Sequence, residues 1–390
     1  MREIHGVKSN RLSGKRIALC VTGSAAAIES ARLARELQRY GAEVKAYMSE
    51  AATRIVHPFA MEFATGAKPV TEITGALEHL KDYDLIIIAP ASANTIAKLA
   101  HGIGDTPPTL LCLSSQAKLL LAPAMHLTMH RNPAVRENLE TLKNRGVTIV
   151  EPVIDEGAAK MAPIEEITAH AIRAVGRAEL SDKRVVVTAG ATEEAIDAVR
   201  VITNRSSGKM GLALAKEAFY RGAEVTLIAG RMSVTPPRYI QVIKALSIED
   251  MRRAVEEFAT NADILISAAA IGDFLVAVRH EGKLSSSQEV TLHLKPAPKV
   301  LSVLRGKRLF KVGFKAVYGA TEQEMLNEAR QLLERENLDL VIANDVSRGV
   351  FGSEENEALI VARDREVALP RMPKSEVARY IFDEIIKRLK

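Results

Sequence analysis

Tryptophan is missing from this sequence, and aromatic residues of every kind make up only 4% of its 390 positions. A core without large rings must be filled by Ile, Val, Leu and Ala, the composition of buried parallel sheets. Cysteine is nearly absent too: only Cys20 and Cys112 occur, both in apolar, strand-like runs. Two such residues exclude a disulfide scaffold and point to a reducing, cytoplasmic compartment. Stretches such as DLIIIAP have the length of a strand, and no apolar run reaches that of a membrane span. The opening MREIHGVKSNRLSGKR lacks the apolar segment of a secretory signal. The formal charge of +5 is modest, with no nucleic-acid motif or aromatic platform beside it. A small surplus of Lys and Arg equally suits anionic, phosphorylated substrates.

What remains is a globular composition, 47% apolar and 26% charged, in a chain long enough for two or three domains. Residues 16–22 read as a buried strand, and Gly23-Ser24 as the turn after it. Ile28, Ala31, Ala34 and Leu37 recur at helical spacing, Gly41 ends that helix, and Val44 starts the next strand. The same order returns in the second half. KRVVVTAG ends at Gly190, and SSGKMGLALAKEAFYRG places Leu212, Ala215 and Phe219 on one helix face. GAEV occurs at 41–44 and again at 222–225, and DLIIIAPAS is echoed by DILISAAAI. This predicts α/β architecture throughout: two Rossmann-like, three-layer domains with mainly parallel sheets, the first flavodoxin-like. The boundary falls near 174–183, giving domains 1–178 and 179–390. The polar segment EGKLSSSQE, 281–289, reads as a mobile substrate loop.

Ligands of open α/β sheets sit at the carboxyl ends of strands. Three loops of the first half lie there: GSAAA from Gly23, APASANT at 89–95, and PAMH at 123–126. A helix opening at Gly23-Ser24-Ala25 can take phosphate on free N–H groups. No GxGxxG is present, so a mononucleotide fits better than a dinucleotide. Together with EGAAKM these loops resemble the flavin-dependent cysteine decarboxylases. Within them the match is to the decarboxylase half of the bifunctional phosphopantothenoylcysteine decarboxylase/phosphopantothenate–cysteine ligases.

The resemblance implies FMN held by Gly23, Ser24, Ala25, Ser49, Ser92, Asn94, Thr95, Ser114 and Ser115. The chemistry needs such a group: a cysteinyl carboxylate leaves as CO2 only after hydride removal at the thiol carbon creates an electron sink. The resemblance also implies His79 as acid/base, although the spacing from it to the Asp84 strand is shorter than usual in the family. His126 stands where bacterial members have Asn, and an imidazole can likewise donate to a substrate carboxylate. The bacterial flap carries a proton-donating Cys, whereas EGAAKMA at 156–162 has none.

In the second half, SSGKMG opens a helix where Ser206, Ser207 and Lys209 can cradle phosphate, without being a Walker loop. TAGATEE, AAAIGDF, VGFK and ANDVS also read as strand ends. TAGATEEAIDAVRVITNRSSGKMG with these segments resembles the ligase half of the same bifunctional family. It implies an acyl-nucleotide route: nucleotidyl transfer to 4′-phosphopantothenate releases pyrophosphate, and the amine of cysteine then attacks. Asn204 and Arg200 match the positions that hold the acyl intermediate. Gly190, Ala270, Asp273, Lys283 and Phe314 match nucleotide-side positions, and Mg2+ is expected on the triphosphate. Ser285 stands where a nucleotide-contacting Lys occurs in bacterial members, so CTP is favoured over ATP less sharply.

The resemblance further implies a homo-oligomer, with trimeric decarboxylase units and dimeric ligase units, possibly a dodecamer. Small-molecule substrates are its expected partners, with no nucleic acid and no membrane. Two rivals stand beside this reading. A nicotinamide-dependent oxidoreductase with duplicated Rossmann units predicts GxGxxG, which is absent. A catalytically degraded flavoprotein acting as a regulatory partner would fit the missing flap Cys.

Overall fold

The structure is a computed structural model that describes residues 4–389 apart from 288, 305, 307, 350 and 351. The chain divides into two compact units, Met1–Gly176 and Arg177–Lys390.

In the first unit, five parallel strands form the order β2-β1-β3-β4-β6, where β1 is Arg16–Val21, β2 Glu43–Met48, β3 Leu85–Ala91, β4 Lys118–Pro123 and β6 Thr148–Ile149. This is the flavodoxin-type order, which reverses between β1 and β3 and opens a crevice there. Helices cover both faces because alternate strand residues point opposite ways. Ala18, Cys20, Ile86, Ile88 and Leu121 pack under α4 (Ala93–His101), α5 (Pro107–Ser114) and α7 (Pro133–Asn144). The opposite face is covered by α1 (Ser30–Arg39) and α8 (Ile164–Val175). The helical pattern drawn from Ile28 needs correction. Residues Ala25–Glu29 form a 3-10 turn, which buries Ala27 and rotates Ile28 outward to 64% exposure, and the buried apolar stripe of α1 begins at Leu33. A small antiparallel sheet joins β5 (Met125–His126), β8 (Ala158–Lys160) and β7 (Val153–Asp155), so the PAMH and EGAAKM segments become one structure.

In the second unit the sheet order is β13-β12-β9-β14-β17-β18-β19-β20. Its strands are β9 (Arg184–Ala189), β12 (Glu224–Ala229), β13 (Gln241–Lys244), β14 (Ile264–Ser267), β17 (Phe310–Val317), β18 (Leu340–Asp345), β19 (Glu355–Val361) and β20 (Glu366–Pro373). The first six are parallel and follow the dinucleotide-fold order, while β19 and β20 run antiparallel at the edge. VGFK lies inside β17 rather than at its end, since that strand continues to Val317. α9 (Lys209–Tyr220) and α12 (Lys374–Leu389) cover one face, and α10 (Ile248–Ala259) and α11 (Glu322–Arg335) the other.

The sequence echo has a physical counterpart. Asp84 accepts from Arg16 N at 2.8 Å and pairs with Lys15; Asp263 accepts from Arg184 N at 2.8 Å and pairs with Lys183. The same clasp ties the first strand of each sheet to its later neighbour, the third strand in the first unit and the fourth, β14, in the second, where the strand order differs.

Candidate functional sites

At the carboxyl ends of β1, β3 and β4 lies a cavity of about 700 Å³. That is a size typical of small-molecule sites. Gly23, Ser24 and Ala25 form one wall, Ser92 and Ala93 a second, and Ala124 to His126 with the flap residues Ala158 to Ala162 close it. The loops are stapled together by buried hydroxyls. Thr22, only 1% exposed, donates to Pro90 O at 2.7 Å and accepts from Ser92 N at 3.0 Å. Ser24 Oγ donates to Ala124 O at 3.1 Å. Gly23 is required because a Cβ there would meet Ala51 Cβ at 2.5 Å. Ser92 caps α4 by accepting from Thr95 N, leaving that helix end open to an anion.

The residues fit a flavin mononucleotide. Small side chains leave room for a planar ring, and the cations Arg32 and Lys160 line the cavity beside the carboxylates Glu29 and Glu165, with the His126 imidazole as a further polar group. Gly23, Ser24, Ala25, Ser92 and His126 thus meet as the sequence reading expected, while the other expected positions do not line this cavity. Ser49 caps the short helix Glu50–Thr53, and Thr95 is buried behind Ser92. Asn94 is exposed in the first turn of α4. Ser115 Oγ accepts from Ala117 N at 3.1 Å. Ser114 and His79 gather elsewhere: Ser114 Oγ donates to His79 O at 2.6 Å. Cys20 and Cys112 are buried beside each other, and burial pushes the Cys20 thiol up, reinforced by Cys112. Neither cysteine lines the cavity.

In the second unit a cavity of about 600 Å³ lies over the carboxyl ends of β14, β17 and β18. Asn204, Ser206, Ser207, Lys209, Ala270, Asp273 and Phe314, all expected from the sequence, line it together. Asn204 Nδ2 donates to Ile271 O at 3.1 Å, and Asp273 pairs with Lys299 at 3.0 Å. Gly190 shapes the neighbouring turn. Its φ is +82°, and a Cβ would approach Arg231 O to 2.4 Å, so only glycine fits. Its carbonyl accepts from Ala270 N at 2.8 Å.

Gly190, Arg200 and Lys283 lie outside the lining. Arg200 pairs with Asp197 at 2.9 Å and donates to Leu284 O at 3.2 Å. Asp197 is the hub of this region. Burial pushes its carboxyl up, but N–H bonds from Val199, Arg200 and Leu284 and the Arg200 charge outweigh that and hold it at about 2. The 281–289 segment, of which Gln288 lies outside the described residues, is therefore anchored at Gly282 and Leu284 rather than loose. Lys283 is exposed.

Sequence reasoning overlooked Thr22 and its counterpart Thr188, which accepts from Ala269 N at 3.1 Å. The shared VTG and VTAG endings of the two first strands carried that signal. It also overlooked Asp197, Lys299, Asn356 and Lys374, whose neighbourhoods are made by distant segments.

Comparison with known proteins agrees with both halves. The Flavoprotein family matches residues 5–176, and the family of the DNA/pantothenate metabolism flavoprotein C-terminal domain matches residues 180–389. The coenzyme A biosynthesis bifunctional protein CoaBC of Thermococcus kodakarensis is 48% identical over 99% of this chain and 98% of its own. Its counterpart in Methanocaldococcus jannaschii is 39% identical over 99% and 97%, and that of Haemophilus influenzae 37% over 97% and 98%. The chain belongs to the bifunctional CoaBC family of coenzyme A biosynthesis.

Proposed function

We propose that the chain performs two consecutive steps of coenzyme A synthesis. The second unit joins 4′-phosphopantothenate to cysteine, and the first decarboxylates the product to 4′-phosphopantetheine. One observation carries this reading: two separate strand-end cavities in one chain, each lined by the loops whose motifs bear the family resemblance.

The first unit is read as the FMN-dependent decarboxylase. FMN, when bound, supplies a hydride acceptor at the substrate thiol carbon. Around it, Ser24, Ser92 and the α4 N-terminus hold the phosphate end, and the flap packed on Met125–His126 excludes water. His126 donates to the substrate carboxylate. His79, Ser114 and Ser115 stand apart from this cavity, next to the exposed Leu77, Leu80 and Leu113, with Phe59 and Phe63 also exposed in this unit. Exposed apolar groups of this kind support a homo-oligomer in which these residues complete a neighbouring copy's site.

In the ligase unit, Asn204 holds the acyl intermediate, with Arg200, clasped to Asp197 outside the lining, assigned to it by the family resemblance alone, while Ser206, Ser207 and Lys209 receive phosphate at the N-terminus of α9. Mg2+ carried by the triphosphate would supply charge neutralisation during nucleotidyl transfer. CTP is the favoured nucleotide.

The test is a coupled assay on the purified chain with 4′-phosphopantothenate, cysteine and either CTP or ATP. The expected results are a yellow protein, pyrophosphate release faster with CTP, and 4′-phosphopantetheine as final product. Pyrophosphate release without amide formation would refute the ligase, and a colourless protein unable to release CO2 would refute the decarboxylase.

A further inference from the structure

Lys374 and Asn356 line the second unit's cavity but have had no role so far. Lys374 opens α12 and Lys209 opens α9. The two helices pack together and run the same way. At their starts both lysines reach one turn, Lys209 Nζ donating to Gly352 O at 2.7 Å and Lys374 Nζ to Ser353 O. Farther along, Arg221 donates to Arg379 O at 3.1 Å and to Asp383 at 2.6 Å. Two helix N-termini and two ammonium groups therefore meet at one end of the cavity, a concentration of positive charge.

Two further observations point to a ligand there. Lys374 is only 8% exposed, and burial lowers its pKa, with the Lys209 charge adding to the effect and the Glu354 carboxylate opposing it. The like charges of the pair are offset by the single carboxylate of Glu354, so a further anion is favoured beside them. Glu354 pairs with Lys209 at 2.5 Å, but its side chain is 83% exposed and readily yields to a competing anion. Asn356 is 4% exposed, and its Oδ1 finds no hydrogen-bond partner among the described residues. Among the described residues, its Nδ2 makes a 4.0 Å contact to Met210 Sδ and no shorter one. With Oδ1 unpaired, nothing among the described residues holds this amide in one orientation, and its other end, Nδ2–H, is the end a bound anion would take.

We propose that Lys374 and Asn356 complete, with Lys209, a subsite for phosphate oxygens of the nucleoside triphosphate. This deepens the ligase reading and rests on it. The incoming phosphate displaces Glu354 from Lys209 into solvent. Lys374 adds a second ammonium contact. Asn356 turns its amide about χ2 and presents Nδ2–H to a phosphate oxygen; the carbonyl then lies against Met210 Sδ and stays unpaired, so the gain is the charge-assisted N–H bond to phosphate.

Inorganic tripolyphosphate with Mg2+, a probe without ribose or base, tests this by calorimetry on the full chain. Lys374→Met keeps the apolar stem and is expected to weaken tripolyphosphate binding about 10- to 100-fold, as loss of a charge-assisted bond does. The nucleotide KM rises in parallel, while the KM for 4′-phosphopantothenate holds; Lys374→Arg restores most of the affinity. Asn356→Asp, of the same size, is expected to weaken binding at least about tenfold by like charge. Undiminished tripolyphosphate binding in a folded Lys374→Met overturns the proposal. Tighter nucleotide binding in Asn356→Asp overturns the phosphate assignment, since it would mean that the side chain accepts from ribose or base. Should Lys374→Met melt early, Asn356→Asp decides alone. Wild-type protein that binds tripolyphosphate yet ligates nothing leaves the subsite standing and sinks the ligase reading. Normal ligation and normal binding in both variants do the reverse.

Discussion

Replacing Thr22 by Val removes one hydroxyl and changes nothing else in shape. In the folded chain that hydroxyl joins two segments: it donates to Pro90 O at 2.7 Å and accepts from Ser92 N at 3.0 Å, at 1% exposure. Valine leaves the Pro90 carbonyl buried and unpaired, which costs about 1–3 kcal/mol. The Ser92 N–H, closer to solvent, loses about 1 kcal/mol. The sum is about 2–4 kcal/mol, or roughly 5–15 °C in the melting temperature of a unit this size. Thr22→Ser keeps both bonds and forfeits one buried methyl, about 1 kcal/mol. Function should follow stability, because Ser92 sets the second wall of the flavin cavity. The assay is thermal unfolding followed by release of flavin fluorescence, which reports the first unit alone, with equilibrium FMN affinity measured beside it. The expected ranking of melting temperature and FMN affinity is wild type, Thr22→Ser, then Thr22→Val well below. If Thr22→Ser falls as far as Thr22→Val, the methyl rather than the hydroxyl matters and the reasoning fails.

Other expectations follow from single groups. Asp197→Asn keeps the shape but weakens the Arg200 and Leu284 contacts, so limited proteolysis should cut within 279–289 faster than in wild type, and unchanged cleavage would show the anchor to be idle. The anchor should hold in acid: a carboxyl depressed to about 2 contributes above its unfolded value and loses that contribution only as pH falls through about 2. His170 behaves in the opposite sense. Burial, then Arg173, lowers it to about 4 despite Glu166, so the unfolded chain takes up a proton first as pH drops. The first unit should lose about 2 kcal/mol between pH 7.5 and 5, with the loss levelling off below about 4; urea titrations of His170→Gln should lack that slope. Finally, Cys112→Ala should leave CO2 release intact, because the buried thiol lies off the cavity; loss of turnover in a folded variant would reopen its role.

Read alone, the residue pattern did not give the antiparallel edge β19–β20 or the Lys299, Asn356 and Lys374 side of the second cavity. It gave the parallel strands that open each half, the two-unit plan and the strand-end loops that form much of both cavity walls. Those are local properties: an apolar run, a glycine turn and a helix opening lie within a few residues of one another, as at 16–25 and 184–190. It also singled out Asn204, Ser206, Lys209 and Asp273, because each sits in a distinctive motif at a strand end. Local pattern misjudged Ile28, since periodicity cannot tell a 3-10 turn from the first turn of an α-helix. It could not show that two similar βαβ openings lead to different strand orders, because order depends on where later strands join the sheet. Only the tertiary structure set Thr22 against Ser92, 70 positions away, and Lys209 against Glu354, 145 positions away. A buried hydroxyl or ammonium takes its meaning from its partner, and here the partners are supplied by the closing of the sheet rather than by neighbours along the chain.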